Sequence, residues 1–405
     1  MQICIFEDKK ANNFYPLTLS RPVWEMRCGI FTLAQKIIKY QPRASYCYHC
    51  RKYLQPMAKK QNFKLFIQKK NSEATLFING RVVADKNFLQ TVTKTKTDAV
   101  FYVRQELVAA YLTKENLALI NNTDNYFSLQ ENKLKKIQVK VKLANYIWDL
   151  VNGNSEQIIS DAKSFSLGKI AGQVYPGAYL INKKNIFIGQ GSKIMPGAVI
   201  NAEDGPVVIE EKTEVMPNSV IIGPVYIGPQ SKIKVGAKIY EGTSIGSVCK
   251  VGGEVEESII LDYSNKQHDG FLGHAYIGSW CNLGANTNNS DLKNNYSNVD
   301  IIFDGKNKIN TGLTFVGLFM GDHSKSGINT MFNTGTTVGF SSNIFGAGYL
   351  PKYIPSFSWL EAGKNEMSYQ LDKAMVTAGK VMARRRIKFS KADKNLFIYL
   401  FNSIK

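Results

Sequence analysis

Residues 209–251 read IEEKTEVMPNSVIIGPVYIGPQSKIKVGAKIYEGTSIGSVCKV, and this stretch decides the fold. A small aliphatic residue recurs at every sixth position, and we call each of these residues a rung. The rungs are Ile209, Val215, Ile221, Ile227, Ile233, Ile239, Ile245 and Val251. An α-helix would point successive rungs to nearly opposite sides, whereas a strand keeps positions an even number apart on one face. The spacing therefore predicts short strands, each followed by a turn.

Repeats of six residues are typical of a parallel β-helix, in which three repeats close one triangular coil. A single coil cannot bury its own apolar side, so stacked coils form a continuous core. The pattern extends with interruptions from Ile188 to Phe345, which is room for roughly eight coils of about eighteen residues. We expect the β-helix to occupy residues 186–347.

The remaining residues suggest further units, because 405 residues exceed one compact core. Strands are expected at 3–6, 45–48, 74–78 and 99–103, and an amphipathic helix at 30–38. Residues 1–150 are therefore predicted to form an α/β domain with a mostly parallel sheet and a site at the strand ends. Residues 151–185 are predicted to be a linker, and 348–405 to end in two helices, 367–388 and 391–403, that cap the solenoid.

Composition narrows the function classes. The net charge is +19, but the lysines are dispersed along the chain, so nucleic-acid binding is not favoured. The positive charge instead favours phosphorylated substrates or coenzyme A as ligands. The sequence contains no run of eighteen apolar residues, so no membrane span is predicted. The cytoplasm is the expected compartment. The six cysteines form no disulfide or zinc framework, and the lone pair Cys47 and Cys50 is interpreted as ordinary thiols. No metal ligand set is predicted.

The loop Phe14–Gly29 after the first strand resembles the signature loop of sugar nucleotidyltransferases. In that family a glycine-rich segment binds the nucleotide phosphates, and an acidic residue after a central strand holds Mg²⁺. Here Glu7 and Asp8 stand where the glycines are expected, and Arg81 replaces the metal ligand. Arg21 lies near the expected phosphate-binding position, and Arg27 belongs to the same loop, so both are predicted to bind substrate. The domain is an active pyrophosphorylase, a sugar-nucleotide binding domain or a structural relic; Mg²⁺ is expected only in the first case.

Residues 266–285, KQHDGFLGHAYIGSWCNLGA, resemble the acetyltransferase segment of the bifunctional UDP-N-acetylglucosamine pyrophosphorylase/glucosamine-1-phosphate N-acetyltransferase. The chain as a whole resembles this GlmU-like family, whose β-helix is left-handed and whose members are trimers. The resemblance implies acetyl-CoA as cofactor and His268 as general base, because an ammonium must lose a proton before it attacks a thioester. It implies that Asn282 and Ala285 lie beside the acyl group and coenzyme A, and that Lys266 binds substrate.

Two departures concern the acceptor. Glu256 and Glu257 stand where the family has lysines that grip the sugar phosphate, and Phe271 replaces a tyrosine. Carboxylates attract an amine, so we predict an amino-sugar acceptor that is held differently from glucosamine 1-phosphate. Asp291, in the asparagine-rich loop, lies near the family's sugar-contacting asparagine.

The segment 311–329 corresponds to the coil that completes the family's coenzyme A pocket, which makes Asp322 and Lys325 candidate coenzyme A contacts. Three functions stay open at this point. They are an acetyl-CoA-dependent N-acetyltransferase, a sugar-1-phosphate nucleotidyltransferase that uses UTP or dTTP and whose β-helix serves assembly, and a non-catalytic sugar-nucleotide scaffold.

Overall fold

The computed structural model describes residues 1–67, 73–121, 125–132 and 134–403. The N-terminal domain contains a six-stranded sheet, and the predicted α/β class with a mostly parallel sheet is confirmed. Its strands, in spatial order, are Lys135–Gln138, Ala99–Val103, Glu106–Leu112, Thr75–Asn79, Gln2–Phe6 and Ser45–His49. Only Glu106–Leu112 runs antiparallel to its neighbours. The carboxyl ends of the parallel strands Gln2–Phe6 and Thr75–Asn79 therefore lie at one edge.

Five helices accompany this sheet: Leu33–Tyr40, Gln55–Lys60, Lys86–Lys94, Ile147–Asn152 and Asn154–Ala162. The first begins three residues later than predicted because Thr32 caps it. The Thr32 hydroxyl accepts from the Gln35 N–H, and the Gln35 side chain accepts from the Thr32 N–H. This reciprocal pair satisfies two backbone donors at the helix start.

The C-terminal half is a left-handed β-solenoid with three faces. The first face contains Gln173–Val174, Lys193–Ile194, Glu214–Val215, Lys232–Ile233, Lys250–Val251, Asn265–Lys266, Lys325–Ser326, Asn343–Phe345, Ser358–Glu361 and Met367–Ser368. The second contains Tyr179–Ile181, Val199–Asn201, Val220–Ile222, Lys238–Ile239, Glu254–Glu256 and Phe271–Gly273, followed by the pair Asn288–Asn289 and Met331–Phe332. The third contains Ile186–Ile188, Val207–Ile209, Val225–Ile227, Thr243–Ile245, Ile259–Ile260, Tyr276–Ile277, Phe319–Met320, Thr337–Val338 and Tyr353–Ile354.

The rungs point into the solenoid and form its core. All eight rungs from Ile209 to Val251 are buried in a single apolar cluster that extends from Ile186 to Leu360. The solenoid is longer than the predicted 186–347, because strands pair in parallel from Gln173 to Glu361. The first coil lies within the predicted linker, and the last lies within the predicted C-terminal cap.

The third face is covered by the N-terminal domain. Its outward residues Val208 and Tyr226 pack against Ile30 and Ile158. In later coils of the same face, Tyr276 and Phe319 belong to a cluster with Phe14, Met26 and Trp148. The two halves therefore share an extensive apolar contact, to which the residues before and after Gly153 contribute.

Four two-stranded ladders lie outside the six-stranded sheet and the three solenoid faces. They are Arg27–Cys28 with Phe31–Thr32, Val82–Val83 with Lys142–Leu143, Ile120–Asn121 with Ser128–Leu129, and Asp300–Ile302 with Lys308–Asn310. The last ladder lies in the segment between the asparagine-rich loop and the strand Phe319–Met320, and Ile301 in this segment packs against the N-terminal domain.

The C-terminal helices are Leu371–Ala383 and Lys391–Ser403. The first was expected to begin at Met367, but Met367–Ser368 pairs as a strand with Ser358–Glu361. Phe397 packs on Phe340 of the solenoid, and Asp393 pairs with Lys60 of the N-terminal domain at 2.6 Å. The helices thus connect the solenoid to the N-terminal domain, a contact that the prediction of an end cap did not include.

Candidate active site

His268 lies at the corner that joins the first face to the second. Its side chain is exposed, and it follows the strand Asn265–Lys266. The turn depends on Gly270, which has φ +116°. A Cβ at Gly270 would lie 2.2 Å from the carbonyl oxygen of Thr287 in the next coil. The solvent access of His268 is what a general base that meets a substrate requires.

Lys266 lies beneath this corner and has a structural role. The strand register pairs it with the rung Val251, so its side chain is buried. Its ammonium donates to the carbonyl oxygens of Gly252 at 3.0 Å, of His268 at 3.2 Å and of Gly270. Burial lowers its pKa to about 8. All three ammonium donors are used, so the prediction that Lys266 binds substrate is wrong; it fixes the turn that presents His268.

A groove with a volume of about 290 Å³ lies beside this corner, on the first face. We call it the basic groove; its lining residues include Lys250, Asn265, Gln267, Asn282, Lys325, Arg384 and Arg385. Gln267, which lines the groove, directly precedes the exposed His268 in the chain. The lining contains four cationic side chains and, among the residues that the structure describes, no carboxylate.

Backbone carbonyl oxygens and a side-chain amide oxygen hold cationic side chains of the basic groove in position. The Lys325 ammonium donates to the carbonyl oxygen of His323 at 2.8 Å, and burial lowers its pKa to about 8. Arg385 Nη2 donates to Asn265 Oδ1 at 3.2 Å. Burial, and then repulsion by Arg385, lowers the pKa of Lys250. An anion that enters the groove would relieve this unfavourable charge.

Asn282 and Ala285 lie one coil above His268, on the same side of the solenoid. The Asn282 side chain lines the basic groove, while its backbone bridges to Ser324 and Ser326. The carbonyl oxygen of Ala285 accepts from the Asn329 N–H at 2.8 Å. The structure therefore brings His268, Asn282, Ala285 and Lys325 to one region, as the resemblance implied.

The predicted acceptor residues lie along the second face. Phe271 begins the strand that follows His268, whereas Glu256 pairs with Gly273 at the other end of that strand. Glu257 and Asp291 lie at this far end too, and burial raises the pKa of Glu257 to about 7. The acidic residues are therefore separated from His268 by the width of one face, and their contact with acceptor stays a prediction.

Arg21, Arg27 and Asp322 meet elsewhere, in a cavity of about 530 Å³ between the two domains. Arg21 forms an ion pair with Asp322, and the Ser20 hydroxyl donates to the same carboxylate at 2.7 Å. The Arg27 N–H donates to the Tyr276 hydroxyl at 2.7 Å. These residues connect the N-terminal loop to the solenoid. The Asp322 carboxylate is occupied there, which contradicts its predicted contact with coenzyme A.

Ion pairs occupy the positions at which the resemblance to sugar nucleotidyltransferases predicted phosphate and metal binding. Glu7 is fully buried and accepts from the Arg51 guanidinium at 3.0 and 3.2 Å and from the Val23 N–H at 2.8 Å. Asp8 accepts from the fully buried Arg81 at 2.6 and 2.9 Å. Both carboxylates are therefore neutralised within the fold.

Three contributors to the site were missed from the sequence. Lys250 directly precedes the rung Val251, and the alternation of a strand could have identified it as an outward cation. Arg384 and Arg385 belong to a basic cluster near the end of the printed sequence. The contact of Arg385 with Asn265 spans 120 residues of sequence, a separation over which no local pattern operates.

Residues 3–170 match the family model described as sugar nucleotidyl transferase. The bifunctional sugar-1-phosphate nucleotidylyltransferase/acetyltransferase of Sulfurisphaera tokodaii is 33% identical over 156 residues, 36% of this chain and 38% of that protein. The bifunctional protein GlmU of Methanococcus aeolicus is 29% identical over 226 residues, 53% of this chain and 46% of that protein. The chain thus spans less than half the length of these two relatives. The predicted resemblance to GlmU-like proteins is confirmed.

Among solved structures, the UDP-N-acetylglucosamine acyltransferase of Francisella novicida matches with a TM-score of 0.31 at 14% identity, covering 56% of this chain and 75% of that one. The acetyltransferase domain of PglB from Neisseria gonorrhoeae matches with a TM-score of 0.19 at 16% identity, covering 52% and 78%. Within the described residues, no helix has the length and apolarity that crossing a membrane requires.

Proposed function

We propose that this chain, similar to GlmU-like proteins, is a transferase of sugar-nucleotide metabolism that acetylates the amino group of an amino sugar at its β-helix. The observation that supports this proposal is the basic groove, whose four cations have no carboxylate partner in the lining and whose lining includes Gln267, the residue before His268. Coenzyme A carries several phosphate groups, and clustered lysine and arginine donors bind phosphate with charge-assisted hydrogen bonds. Acetyl-CoA is therefore the proposed acyl donor.

In the proposed reaction, His268 accepts a proton from the ammonium of the acceptor. The free amine then forms a bond to the thioester carbonyl carbon, and the carbon–sulfur bond breaks. The His268 imidazolium returns the proton to the departing sulfur, and the acetylated nitrogen loses its second proton to solvent, which leaves the neutral amide and the free thiol. Asn282, on the groove lining, is positioned to donate to the carbonyl oxygen as negative charge develops there. Phe271, Glu256, Glu257 and Asp291 remain the proposed acceptor side.

We further propose that the active unit is a homotrimer. Large apolar side chains are exposed on the second face and at the corner of His268: Tyr179, Ile181, Val235, Ile328 and Met331. Val235 and Ile328 lie at the corner of His268, where a neighbouring solenoid would cover them. A neighbouring solenoid on this surface would enclose His268 between two chains.

The N-terminal domain offers a second candidate function, sugar-nucleotide binding or transfer. A cavity of about 680 Å³ lies at the strand ends and is lined by residues including Lys10, Arg104 and Tyr146. Its size suits a nucleotide sugar. Mg²⁺-dependent transfer is less favoured, because Asp8 is already paired with Arg81.

Ligand-induced stabilisation separates the candidates. At a hundred times its Kd, a ligand that binds only the folded chain adds about 2.7 kcal/mol. We expect coenzyme A to raise the melting temperature. Stabilisation by UTP or dTTP with Mg²⁺ alone would select nucleotidyl transfer, and stabilisation by neither would leave a scaffold.

The His268→Gln variant tests the chemistry directly. Loss of a general base should reduce kcat about 10²- to 10⁴-fold and leave coenzyme A affinity unchanged. The neighbouring Asp269→Asn, also exposed, is the matched control. Full activity of His268→Gln in acetyl transfer to an amino sugar would refute the assigned base.

A further inference from the structure

Four carboxylates surround one imidazole at the far end of the second face. Glu241, Glu256, Glu257 and Asp291 all lie close enough to interact electrostatically with one another or with His274. The chain has a net charge of +19. Yet within the described ranges no lysine or arginine forms an ion pair with any of these four residues, and the only ion-pair partner of Asp291 is His274. The corner is thus locally negative in a strongly basic protein.

We propose that Glu256, His274 and Asp291 bind a divalent transition-metal ion such as Zn²⁺. Each residue offers one ligand atom, and these atoms all lie within 4.8 Å of one another. His274 Nδ1 is 2.8 Å from Asp291 Oδ2. Ligand atoms bound at about 2.0–2.2 Å to one Zn²⁺ lie roughly 3–3.5 Å apart, so small side-chain rotations suffice. An imidazole combined with carboxylates favours Zn²⁺ and related ions over Mg²⁺ or Ca²⁺.

The fold builds this site from three stacked coils. Glu256 ends one strand and pairs with Gly273 of the next coil, whose neighbour is His274. A Cβ at Gly273 would lie 2.4 Å from Asp291 Oδ2, so the missing side chain makes room for that carboxylate. Asn289 accepts from the Gly273 N–H and donates to the Gly273 carbonyl oxygen, both at 3.0 Å. The backbone beside His274 is therefore held by the coil that supplies Asp291.

An aromatic side chain covers one side of the imidazole. Phe315 stacks on His274 with ring centroids 5.2 Å apart. Apolar cover lowers the local dielectric constant and strengthens the attraction between carboxylates and a cation. Three protein ligands leave coordination positions for water or a substrate oxygen.

The proposed metal site changes the role of the acidic corner. A bound divalent cation would neutralise Glu256 and Asp291 and would attract a phosphate or hydroxyl group of an acceptor. It reassigns these two residues from direct acceptor contacts to metal ligands. The site itself does not depend on acetyl transfer, so it can be tested without an activity assay.

The test is titration of the full chain, first stripped of metal with EDTA, with Zn²⁺ in a calorimeter. We expect one equivalent to bind, and His274→Gln and Asp291→Asn each to lower the affinity at least about tenfold. Glu254→Gln is the matched control, because Glu254 lies on the same strand and pairs with Lys238 at 3.7 Å. It removes the same charge and should leave the affinity unchanged.

Co²⁺ provides a readout that does not depend on the variants. Its visible absorption should show coordination by nitrogen and oxygen ligands, and Zn²⁺ should abolish it. Charge-transfer bands from thiolate would locate the ion at cysteines and overturn the proposal. Failure of the chain to bind either ion, or equal binding by both ligand variants with unchanged circular dichroism, would overturn it as well.

Discussion

The strand ends of the N-terminal domain and the basic groove of the solenoid are both lined with arginine or lysine, but they differ in how those charges are compensated. In the N-terminal domain, Arg51 and Arg81 are fully buried against Glu7 and Asp8. In the groove, Lys325 and Arg385 bond only to backbone or amide oxygens. A cation whose partner is built into the fold stabilises the fold, whereas a cation without one is available to a ligand.

The largest effect should come from breaking a compensated pair. We expect Glu7→Ala to lower the free energy of unfolding by about 3–5 kcal/mol, because it leaves the Arg51 guanidinium buried without a counter-charge. Denaturant unfolding monitored by circular dichroism measures this. Glu156→Ala removes one partner of the exposed pair with Lys142 and should cost less than about 1 kcal/mol. Equal costs for the two variants would remove the distinction between the two regions.

Substitutions in the basic groove, whose cations have no carboxylate partner, should change the affinity for coenzyme A and not the free energy of unfolding. Arg385→Ala is expected to raise the Kd for coenzyme A about tenfold, which corresponds to about 1.4 kcal/mol. Lys232→Ala is the control, since Lys232 lies on the same face but pairs with Glu214 at 2.5 Å. We expect its Kd to change less than twofold. Isothermal titration at two salt concentrations measures both variants, and the difference should shrink at high salt.

A third effect depends on pH and concerns the cavity between the two domains. Burial raises the pKa of Glu25 to about 7, against the opposing effect of Arg21. The folded chain therefore holds a proton that the unfolded chain releases near pH 4.5, so stability falls as pH rises from there to about 7.

Glu25→Gln removes this penalty. The variant should be more stable than the parent by about 3 kcal/mol at pH 8, with the gain vanishing as pH falls to 4.5. Thermal melts across this pH range measure the gain. A gain that is constant with pH would show that Glu25 does not titrate with folding.

The sequence predicted the solenoid well and the site only partly. The rungs lie on the inner face of the solenoid as predicted, because the alternation of side chains along a strand depends only on neighbouring residues. Local patterns did not predict the environment of Lys266, which takes a rung position next to Val251. A buried ammonium is stable there only because the carbonyl oxygens of Gly252, His268 and Gly270 accept its hydrogen bonds. Asp322 was placed with coenzyme A from its position in the chain, but Arg21 of the N-terminal domain occupies its carboxylate.

By itself, the sequence determined the coiled architecture and the α/β class of the first domain, because periodicity and turn residues act over a few neighbours. The tertiary structure alone decided which charges are paired. Glu7 with Arg51 and Asp8 with Arg81 meet across 44 and 73 residues, whereas Arg385 reaches the neutral amide of Asn265 across 120 residues. Packing of the two domains and the C-terminal helices sets those encounters, since an ion pair forms wherever the fold places opposite charges within contact distance, whatever their separation in sequence.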